Sequence, residues 1–321
     1  MSQPTNEQVS VILPVLNEAD YLEQALAPIL NQDFAGDLEV ILAIGPSKDG
    51  TLEIAQKISE RDRRVIVIEN PSGRTAAGLN LALAKSRFSI IVRVDGHSEI
   101  PKNYISTAVE VLRKTGAVNV GGMMAAEGRG FFERAVAAAM RSSLGVGPAK
   151  FHTGGSAGEV DTVYLGSFNR AALLAIGGFD EKFTRAQDWE LNYRLRANGG
   201  KIYFDPRMSV TYRPRRSIKA LAKQYFEYGR WRRAVSRTHS DTLNLRYLTP
   251  PITLIVSLIS IVGALFNPIF ITPFMVYLGF TVLASFTLGR NLEKLLIPIV
   301  LITMQMSWAL GFVTSPKSIS K

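Results

Sequence analysis

The chain has 321 residues, of which 47% are hydrophobic and 20% charged, with a mean hydropathy of +0.11 and a formal net charge of +10 at neutral pH. It contains no cysteine, which excludes structural disulfides, thiolate metal sites and a cysteine nucleophile, and its three histidines are too few for a typical multi-histidine zinc site. The positive charge predicts an anionic partner: nucleic acid, anionic lipid or a phosphorylated substrate. The polar first residues are not typical of a signal peptide, so we expect the N-terminal part to stay in the cytoplasm.

Short β-branched runs alternate with helical patterns over the first third of the chain. This alternation predicts an α/β fold with a mostly parallel, doubly wound sheet. In such sheets ligands bind beyond the carboxyl ends of the strands. The predicted strand and helix pairs are 9–14 with 19–31, 38–44 with 51–58, 65–68 with 75–85, and 89–94 with 103–114.

Asp95, Gly96 and His97 directly follow the fourth predicted strand. Gly96 allows a tight turn, so that the carboxylate of Asp95 and the imidazole of His97 would face one divalent ion that bridges phosphate oxygens. The alternative is that Asp-Gly serves only as a turn sequence. Because no Gly-x-Gly-x-x-Gly follows the first strand and no Gly-x-x-x-x-Gly-Lys-Ser/Thr occurs, neither a dinucleotide site nor a P-loop is predicted.

Asp188 stands at the start of a predicted helix, 189–198, which ends at Gly199 and Gly200. The helix dipole and the free N–H groups at a helix start keep a carboxylate ionised, so Asp188 is either an N-cap or a general base. Glu190 is the next candidate for the base. The elements predicted before this helix are a loop at 152–158, which is a lid or a plain linker, a strand at 160–165 and a helix at 170–176.

Basic residues crowd between Arg207 and Arg246, in a segment whose apolar residues share one helical face. Such a helix is typical of membrane surfaces, although nucleic acid binds the same charge. Membrane is favoured because apolar segments of spanning length follow at 248–266, 269–288 and 295–313. Three spans are predicted, with Arg290 and Lys294 in a cytoplasmic loop and Lys317 and Lys321 outside; two spans or a re-entrant segment is the alternative. The predicted domains are 1–212, 213–246 and 247–321.

The order and spacing of several motifs resemble the family 2 glycosyltransferases of GT-A fold, a Rossmann-like nucleotide-sugar fold. The amino-acid sequences of these motifs are most similar to those of membrane-bound glucosyltransferases of succinoglycan-type exopolysaccharide synthesis. The likeness covers roughly residues 9 to 240, and its motifs lie at 9–18, 49–51, 95–97, 177–181, 187–190 and 230–231.

The resemblance implies a multi-pass enzyme of the plasma membrane with a cytoplasmic catalytic domain. It would transfer a sugar, glucose, with inversion from a nucleotide-sugar donor, a UDP-sugar, to a lipid-linked saccharide acceptor, and bind no nucleic acid. Asp95 falls on the metal-binding position for Mn²⁺ or Mg²⁺ and Asp188 on the catalytic base, while Arg230 and Trp231 match a pair near the acceptor and the diphosphate. The other predicted substrate-binding residues are Pro14, Asn17, Glu18, Asp49, Arg74, Gly166, Gln187 and Trp189.

Three positions depart from the family's pattern. Ile44 and Gly45 replace a pair of acids that contacts the nucleotide base, so that contact must come from elsewhere. His97 replaces the second metal-binding Asp, which favours Mn²⁺ or leaves Asp95 as the sole protein ligand. Glu227 replaces the Gln that accompanies processive polymerisation in the family, which favours single additions.

Two other functions compete with the glycosyltransferase. A nucleotidyltransferase also has a parallel sheet and a metal-bound Asp, but it needs no membrane segment and usually has a Gly-rich basic loop after its first strand. A membrane-anchored binding or scaffold protein with an altered site would account for Ile44, Gly45 and His97.

Overall fold

The computed structural model describes residues 7–96, 98–243, 245–289 and 291–320. It divides into an N-terminal unit, Met1–Ala125 with Gly154–Tyr212, and a C-terminal unit, Ala126–Thr153 with Arg213–Lys321. Residues 126–153, which the domain prediction assigned to 1–212, therefore group with the C-terminal helices. Local sequence patterns do not reveal this grouping, because it depends on contacts with the last helix of the chain.

The strands and helices alternate in chain order over the first third. The strands in the described part of the chain are β1 (Gln8–Val15), β2 (Asp37–Ile44), β3 (Val65–Glu69), β4 (Ile90–Arg93), β5 (Asn119–Gly122), β6 (Met124–Ala126), β7 (Gly158–Glu159), β8 (Tyr164–Asn169), β9 (Ile202–Phe204) and β10 (Val210–Tyr212). The helices there are α1 (Leu22–Leu30), α2 (Thr51–Arg61), α3 (Thr75–Lys85), α4 (Tyr104–Thr115), α5 (Phe131–Met140), α6 (Ser143–Val146), α7 (Lys150–Thr153), α8 (Arg170–Ala175), α9 (Gln187–Ala197), α10 (Ile218–Thr238), α11 (Leu245–Gly263), α12 (Thr272–Leu288) and α13 (Ile297–Thr314).

One mixed sheet organises the N-terminal unit, in the order β3-β2-β1-β4-β8-β5-β9-β7. The strands β1 to β4 pair in parallel, whereas β8 runs antiparallel between β4 and β5. The predicted mostly parallel α/β fold is confirmed. Because β1 to β4 run in the same direction, their carboxyl ends share one edge of the sheet.

Both faces of the sheet are covered, as in other sheets of this class. Alternate residues of β1 point to opposite faces, so Val11 and Leu13 join one core while Ile12 joins the other. The first core includes side chains of α1, α2 and α4, and the second includes side chains of α3, α8 and α9. This double burial explains why the strands are continuous apolar runs.

The prediction was less accurate after residue 121. The strand expected at 160–165 lies at Tyr164–Asn169, because Ser167 and Phe168 pair with both β4 and β5. The loop expected at 152–158 begins inside α7 and ends in β7, with left-handed Gly154 and Gly155 between them. A short apolar run does not fix a strand boundary, since its partners lie far away in the sequence.

The C-terminal unit contains helices α10 to α13. Three helical segments, Leu245–Gly263, Pro268–Leu288 and Ile297–Thr314, are long and apolar enough to cross a membrane. Their bounds agree with the predicted apolar segments to within a few residues. The basic segment before them forms α10, which begins at an N-cap Ser217 whose side chain accepts from the backbone of Ala220.

Helices α10 and α13 approach each other closely at two glycines. A Cβ on Gly229 would lie 2.0 Å from the carbonyl oxygen of Trp308, and a Cβ on Gly311 would lie 2.0 Å from that of Phe226. Such contacts are possible only without a side chain at either position. The two glycines therefore allow the helix backbones to pack against each other.

Substituting Gly229 by Ala is expected to destabilise the C-terminal unit. The new methyl group meets backbone rather than a flexible side chain, and overpacking of this kind costs about 1–3 kcal/mol. Gly279→Ala on α12 is the matched control, since its Cβ meets nothing within 4 Å. Thermal unfolding in detergent should show a lower Tm for Gly229→Ala and an unchanged or higher Tm for the control. Equal Tm values for the two variants would contradict the packing.

Several arginines of α10 are occupied inside the C-terminal unit. Arg232 is buried, donates to the carbonyl oxygen of Thr242 at 2.6 Å and lies 3.8 Å from the ring centroid of Tyr247, and burial lowers its pKa to about 10. Arg233 lies 5.1 Å from the ring centroid of Phe312. Arg232 therefore does not contribute to a basic surface of α10, because its side chain packs within the protein.

Candidate functional site

The loops that leave the carboxyl edge of the sheet carry several of the predicted site residues. Asn17 follows β1, Asp49 lies between β2 and α2, and Asp95 follows β4. These three strands are neighbours in the order β2-β1-β4. The predicted gathering of polar loops at one edge is therefore present in the structure.

Arg93, the last residue of β4, links the predicted metal ligand Asp95 to the predicted base Asp188. Its side chain is 5% exposed and donates from Nε and Nη2 to Oδ1 of Asp95, at 3.1 and 3.0 Å. Its Nη1 donates to Oδ1 of Asp188. The guanidinium also lies 5.8 Å from the ring centroid of Phe179. One buried cation therefore holds both carboxylates in place.

Burial and charge act in opposite directions on these three groups. Burial raises the pKa of Asp188, the guanidinium of Arg93 opposes this increase, and the carboxylate of Asp95 adds to it. Burial alone would lower the pKa of Arg93, but the carboxylates of Asp188 and Asp95 raise it above its ordinary value. Asp188 consequently takes a proton more readily than an exposed aspartate, which is the property that a general base needs.

Asp188 is the second residue of α9 rather than its N-cap. The cap position is held by Ala186, in the left-handed region with φ 59°, and no side chain caps the helix there. The N-cap interpretation of Asp188 is therefore wrong, because its carboxylate binds Arg93. Its place in the first turn still gives a favourable interaction with the helix dipole.

The neighbours of Asp188 have structural partners. The side chain of Gln187 is buried and donates to the carbonyl oxygen of Phe183 at 3.0 Å, which fixes the loop before α9. Trp189 stacks on Tyr193 with 6.0 Å between ring centroids. Glu190, the alternative base, is 1% exposed and accepts two bonds from the guanidinium of Arg194, at 2.7 and 2.8 Å. This pairing makes Glu190 a poorer candidate for the base than Asp188.

Asn17 and Asp49 join the loops after β1 and β2. Oδ1 of Asn17 accepts from the backbone of Lys48 at 2.9 Å, and Oδ2 of Asp49 accepts from the backbone of Ala19 at 3.1 Å. A hydrogen bond from the hydroxyl of Thr51 is the largest of the interactions that lower the pKa of Asp49. These contacts give both residues a role in shaping the edge of the sheet.

Ile44 and Gly45 stand where the resemblance leads one to expect acids, and the packing explains the glycine. Ile44 is buried at the end of β2. A Cβ on Gly45 would lie 2.9 Å from Cδ1 of Leu16 and 3.1 Å from Cα of Gly73, in the loop after β3. Neighbouring loops therefore occupy the space that an acidic side chain would need. Any contact to a nucleotide base must come from other residues.

Two carboxylates lie beside the Asp95 turn, where a divalent cation is predicted to bind. Among the described residues, Arg93 donates to Oδ1 of Asp95 but not to its Oδ2. Oδ2 is therefore available to a cation. The carboxylate of Glu18 lies close by, since a Cβ on Gly96 would be 3.9 Å from its Oε1. No cluster of three His, Asp or Glu ligands occurs among the described residues. His97 lies outside them, so its predicted metal contact stays a prediction.

The remaining predicted residues of the N-terminal unit take different positions. Arg74 is exposed at the start of α3, where backbone N–H groups favour anions. Pro14 lies near the end of β1 and packs against α3, where a Cβ on Gly78 would be 3.2 Å from the Cβ of Pro14. Gly166 is buried within β8, and a Cβ there would lie 2.5 Å from Oδ1 of Asn119. Gly166 is therefore needed for packing of the sheet.

Arg230 and Trp231 belong to α10 in the C-terminal unit. Nη1 of Arg230 donates to Oε1 of Glu227 at 2.9 Å, and the guanidinium lies 5.7 Å from the ring centroid of Phe226. Trp231 is buried. Glu227, which replaces the family's Gln, therefore forms an ion pair with Arg230 that a glutamine could not form.

The role of Arg93 was not predicted from the sequence. The signal was present, since Arg93 is the one charged residue within the apolar run 90–94 and stands two positions before Asp95. A charge in a strand that is buried on both faces must have partners, because an unpaired buried charge is very costly. What the sequence could not reveal is the second partner, Asp188, which lies 95 residues away.

We expect Arg93→Ala to slow turnover and to shift the acidic limb of the pH–rate profile to higher pH, because Asp188 would lose the cation that favours its charged form. Breaking a buried ion pair also costs about 3–5 kcal/mol of stability. Arg93→Lys keeps the charge and should restore part of the profile, although one ammonium cannot reproduce the fork to two carboxylates. A pH profile that is identical in all three proteins would show that Arg93 has only a structural role.

The sequence matches a known family model and curated proteins. Residues 10–174 match the model described as glycosyl transferase family 2. The chain is 31% identical over 315 residues to the succinoglycan biosynthesis protein ExoA of Rhizobium meliloti, a match that covers 96% of this chain and 94% of that protein. It is also 22% identical over 230 residues, 69% of this chain and 71% of the other, to a dolichyl N-acetyl-α-D-glucosaminyl phosphate 3-β-D-2,3-diacetamido-2,3-dideoxy-β-D-glucuronosyltransferase of Methanococcus voltae.

Solved structures of glycosyltransferases share the fold. The mannosyltransferase PcManGT of Pyrobaculum calidifontis, in complex with GDP-Man and Mn²⁺, matches 97% of this chain and 88% of its own with a TM-score of 0.62 and 19% identity. TarS of S. aureus, residues 1–349 in complex with UDP-GlcNAc, matches 71% of this chain and 66% of its own with a TM-score of 0.51 and 19% identity. At such identities these two structures establish the fold alone.

Proposed function

Because the chain belongs to glycosyltransferase family 2, we propose that it transfers glucose, with inversion at the anomeric carbon, from a UDP-sugar to a lipid-linked saccharide. Family membership makes the chain a glycosyltransferase and decides against a nucleotidyltransferase. The donor, the sugar and the acceptor are the parts that we propose.

One observation carries the proposal: Arg93 holds Asp95 and Asp188 at the carboxyl edge of the sheet. Glycosyl transfer needs a base for the acceptor hydroxyl on one face of the anomeric carbon and stabilisation of the departing diphosphate on the other. Asp188 and Asp95 are suited to these two tasks. The intact arrangement also argues against a scaffold protein with an altered site.

Asp188 accepts the proton of the acceptor hydroxyl in this mechanism. Burial raises its pKa, and Arg93 keeps its carboxylate oriented. As the proton transfers, the acceptor oxygen attacks the anomeric carbon from the face opposite the diphosphate. A single displacement of this kind inverts the configuration.

The leaving diphosphate needs positive charge. Asp95 would hold the divalent cation, which supplies Lewis-acid stabilisation to the diphosphate oxygens when it is bound. Arg74, exposed at the start of α3, adds a cation and a helix N-terminus beside the same edge. Arg230 and Trp231 are proposed to contribute on the acceptor side, on the basis of the family resemblance.

The proposed acceptor is supported by the relatives and by the C-terminal unit. The Rhizobium relative is named for succinoglycan biosynthesis, and the name of the Methanococcus relative describes transfer to a dolichyl-phosphate-linked sugar. Three helices that are long and apolar enough to cross a membrane support a membrane location, where such acceptors are found. We therefore propose a role in exopolysaccharide or cell-envelope glycan synthesis at the plasma membrane, with the catalytic part in the cytoplasm. Glu227 in place of Gln favours single additions.

A donor screen tests the first half of the proposal. Purified full-length protein with Mn²⁺ would be given UDP-, GDP- and TDP-glucose and UDP-galactose, and the release of nucleotide measured. The proposal expects UDP-glucose to be turned over fastest. Preference for a GDP- or TDP-sugar would overturn the choice of nucleotide, and preference for UDP-galactose the choice of sugar. Turnover of none of them, by protein that remains folded, would count against the function itself.

A further inference from the structure

The three apolar helices of the C-terminal unit differ in what surrounds them. Within the protein, 39% of the apolar window of α13 is buried, compared with 17% for the windows that contain α11 and α12. The latter two helices expose large apolar side chains over much of their surface, as spans do. Helix α13 also contacts α11 and α12, including a hydrogen bond of 2.9 Å from the hydroxyl of Tyr277 to Oε1 of Gln305, but much of its surface is covered by segments outside the apolar region.

The first half of α13 contacts the segment 126–153. Just before the helix, Oε1 of Glu293 accepts from Nε of Arg134 on α5 at 2.7 Å. Further along, Nε2 of Gln305 donates to the carbonyl oxygen of Leu144 on α6 at 2.9 Å. This segment leaves and re-enters the N-terminal unit, so it stays on the same side of the membrane as that unit.

The second half of α13 contacts the basic helix α10. The backbones touch at Gly229 and Gly311, as described above. At the end of α13, the guanidinium of Arg237 donates to the carbonyl oxygens of Ser315 and Pro316 at 2.9 and 3.0 Å. Helix α10 follows β10 of the N-terminal unit after a few residues. Both halves of α13 are thus bound to segments that start from the same side of the membrane.

These covering segments are too polar to enter the hydrocarbon core. If α13 crossed the bilayer, α10 would have to accompany its second half to the far side. Charged side chains at the centre of a bilayer are costly and rare. The charged residues that α10 would carry with it are Lys219, Lys223, Glu227, Arg230, Arg232, Arg233 and Arg237.

We propose that α13 is not a third span but lies along the cytoplasmic surface of the membrane, with one apolar face against the lipid acyl chains. The partner on this face is the cytoplasmic leaflet. Exposed apolar side chains recur along α13 and the turn before it at helical spacing, which aligns them on one face. They are Leu292, Leu295, Ile299, Leu310 and Val313.

The distribution of charge agrees with two spans. With α11 and α12 as the spans, the far side would carry only the hairpin between them, 264–271, which has no charged residue. Lys317 would lie on the cytoplasmic side with Lys294, as positive charges near spans usually do. Three spans would instead put Lys317 outside. Arg290 and Lys321, which the topology prediction also used, lie outside the described residues.

The absence of cysteine permits a direct test by single-cysteine labelling. Ser318→Cys, after α13, would be exposed to a membrane-impermeant maleimide in spheroplasts and in inverted vesicles of an expression host. Leu265→Cys in the hairpin and Glu60→Cys on α2 mark the outer and inner sides. The proposal expects Ser318→Cys to behave like Glu60→Cys, with labelling in inverted vesicles only. Labelling in spheroplasts, like Leu265→Cys, would overturn it.

The membrane depth of residues on α13 tests the proposal independently of the labelling at Ser318→Cys. Nitroxides at Ile299→Cys, near the start of α13, and at Met306→Cys, near its middle, are about 10 Å apart along a helix axis. If α13 lies in the interface, the collision rates of the two probes with oxygen and with a water-soluble nickel chelate should give the same depth. Phe280→Cys in the middle of α12 and Phe286→Cys near its end, both exposed, form a control pair that should differ in depth. A difference between the α13 probes as large as that of the control pair would refute the proposal.

Discussion

Replacing Asp188 by Asn is expected to reduce sugar transfer by about 10²–10⁴-fold, the usual cost of losing a general base, while the protein stays folded and binds nucleotide. The amide oxygen of Asn can still accept a hydrogen bond from Arg93, but it cannot take the proton of the acceptor hydroxyl. Since no capping bond depends on Asp188, no cap is lost either. The loss should therefore appear in kcat rather than in the affinity for nucleotide.

Asp161→Asn is a suitable control, because Asp161 is a largely exposed aspartate whose only described partner is Arg196, at 3.4 Å. It should transfer sugar at nearly the wild-type rate. If Asp188→Asn kept more than about a tenth of that rate, the base would have to lie elsewhere. Glu190 would be an unsatisfactory substitute, because its carboxylate is already bound by Arg194.

The pH dependence of wild-type transfer provides a second check on Asp188. A base works in its deprotonated form, so the rate should fall as pH decreases through the pKa of Asp188. Because burial raises that pKa, the fall should occur above the value of about 3.9 that is ordinary for aspartate. A rate that stays constant down to that value would show that a different group limits the acid side.

Asp95→Asn is expected to abolish the metal-dependent part of the activity, with a loss of about 10²–10³-fold, the effect typical of removing one stabilising group at a developing charge. An amide carries no negative charge, so it binds a divalent cation much more weakly than a carboxylate does. The amide oxygen can still accept the two bonds that Arg93 gives to Oδ1, so the fold should persist. Transfer measured against the concentration of Mn²⁺ tests this expectation.

Wild-type protein treated with EDTA should lose activity to the same extent and regain it when Mn²⁺ is added. If EDTA has no effect, or Asp95→Asn works at the wild-type rate, the metal site is wrong. His97→Ala is a milder test, because a ligand should change the Mn²⁺ requirement whereas a turn residue should change only stability.

Much of the catalytic unit could be predicted because local patterns determine it. Strands buried on both faces are continuous apolar runs, and the loops that follow them must contain turn-forming residues. Asp95 and Asp188 became candidates through their positions at the ends of elements, and the family resemblance then implied their roles as metal ligand and base. The start of α9 was misjudged by two residues, since the left-handed Ala186 that begins it leaves no signal in the residue type.

Features that depend on distant contacts could not be predicted. Nothing near Arg93 in the sequence identifies Asp188 as its partner, and nothing in 126–153 indicates packing on α13. The arginines of α10 illustrate the same limit. Arg232 lies in a basic segment typical of membrane surfaces, yet its guanidinium lies over the ring of Tyr247 inside the protein.

Following a labelled sugar from the nucleotide to membrane lipid tests the proposed transfer itself. Purified full-length protein, Mn²⁺, UDP-[¹⁴C]glucose and lipid extracted from a strain that makes the polysaccharide would be incubated, and the organic phase counted. We expect label in a saccharide that mild acid releases from lipid, a β-linkage if the donor is α-configured, and almost no label with Asp188→Asn. Label that stays in water-soluble glucose, or equal incorporation by Asp188→Asn, would contradict this expectation.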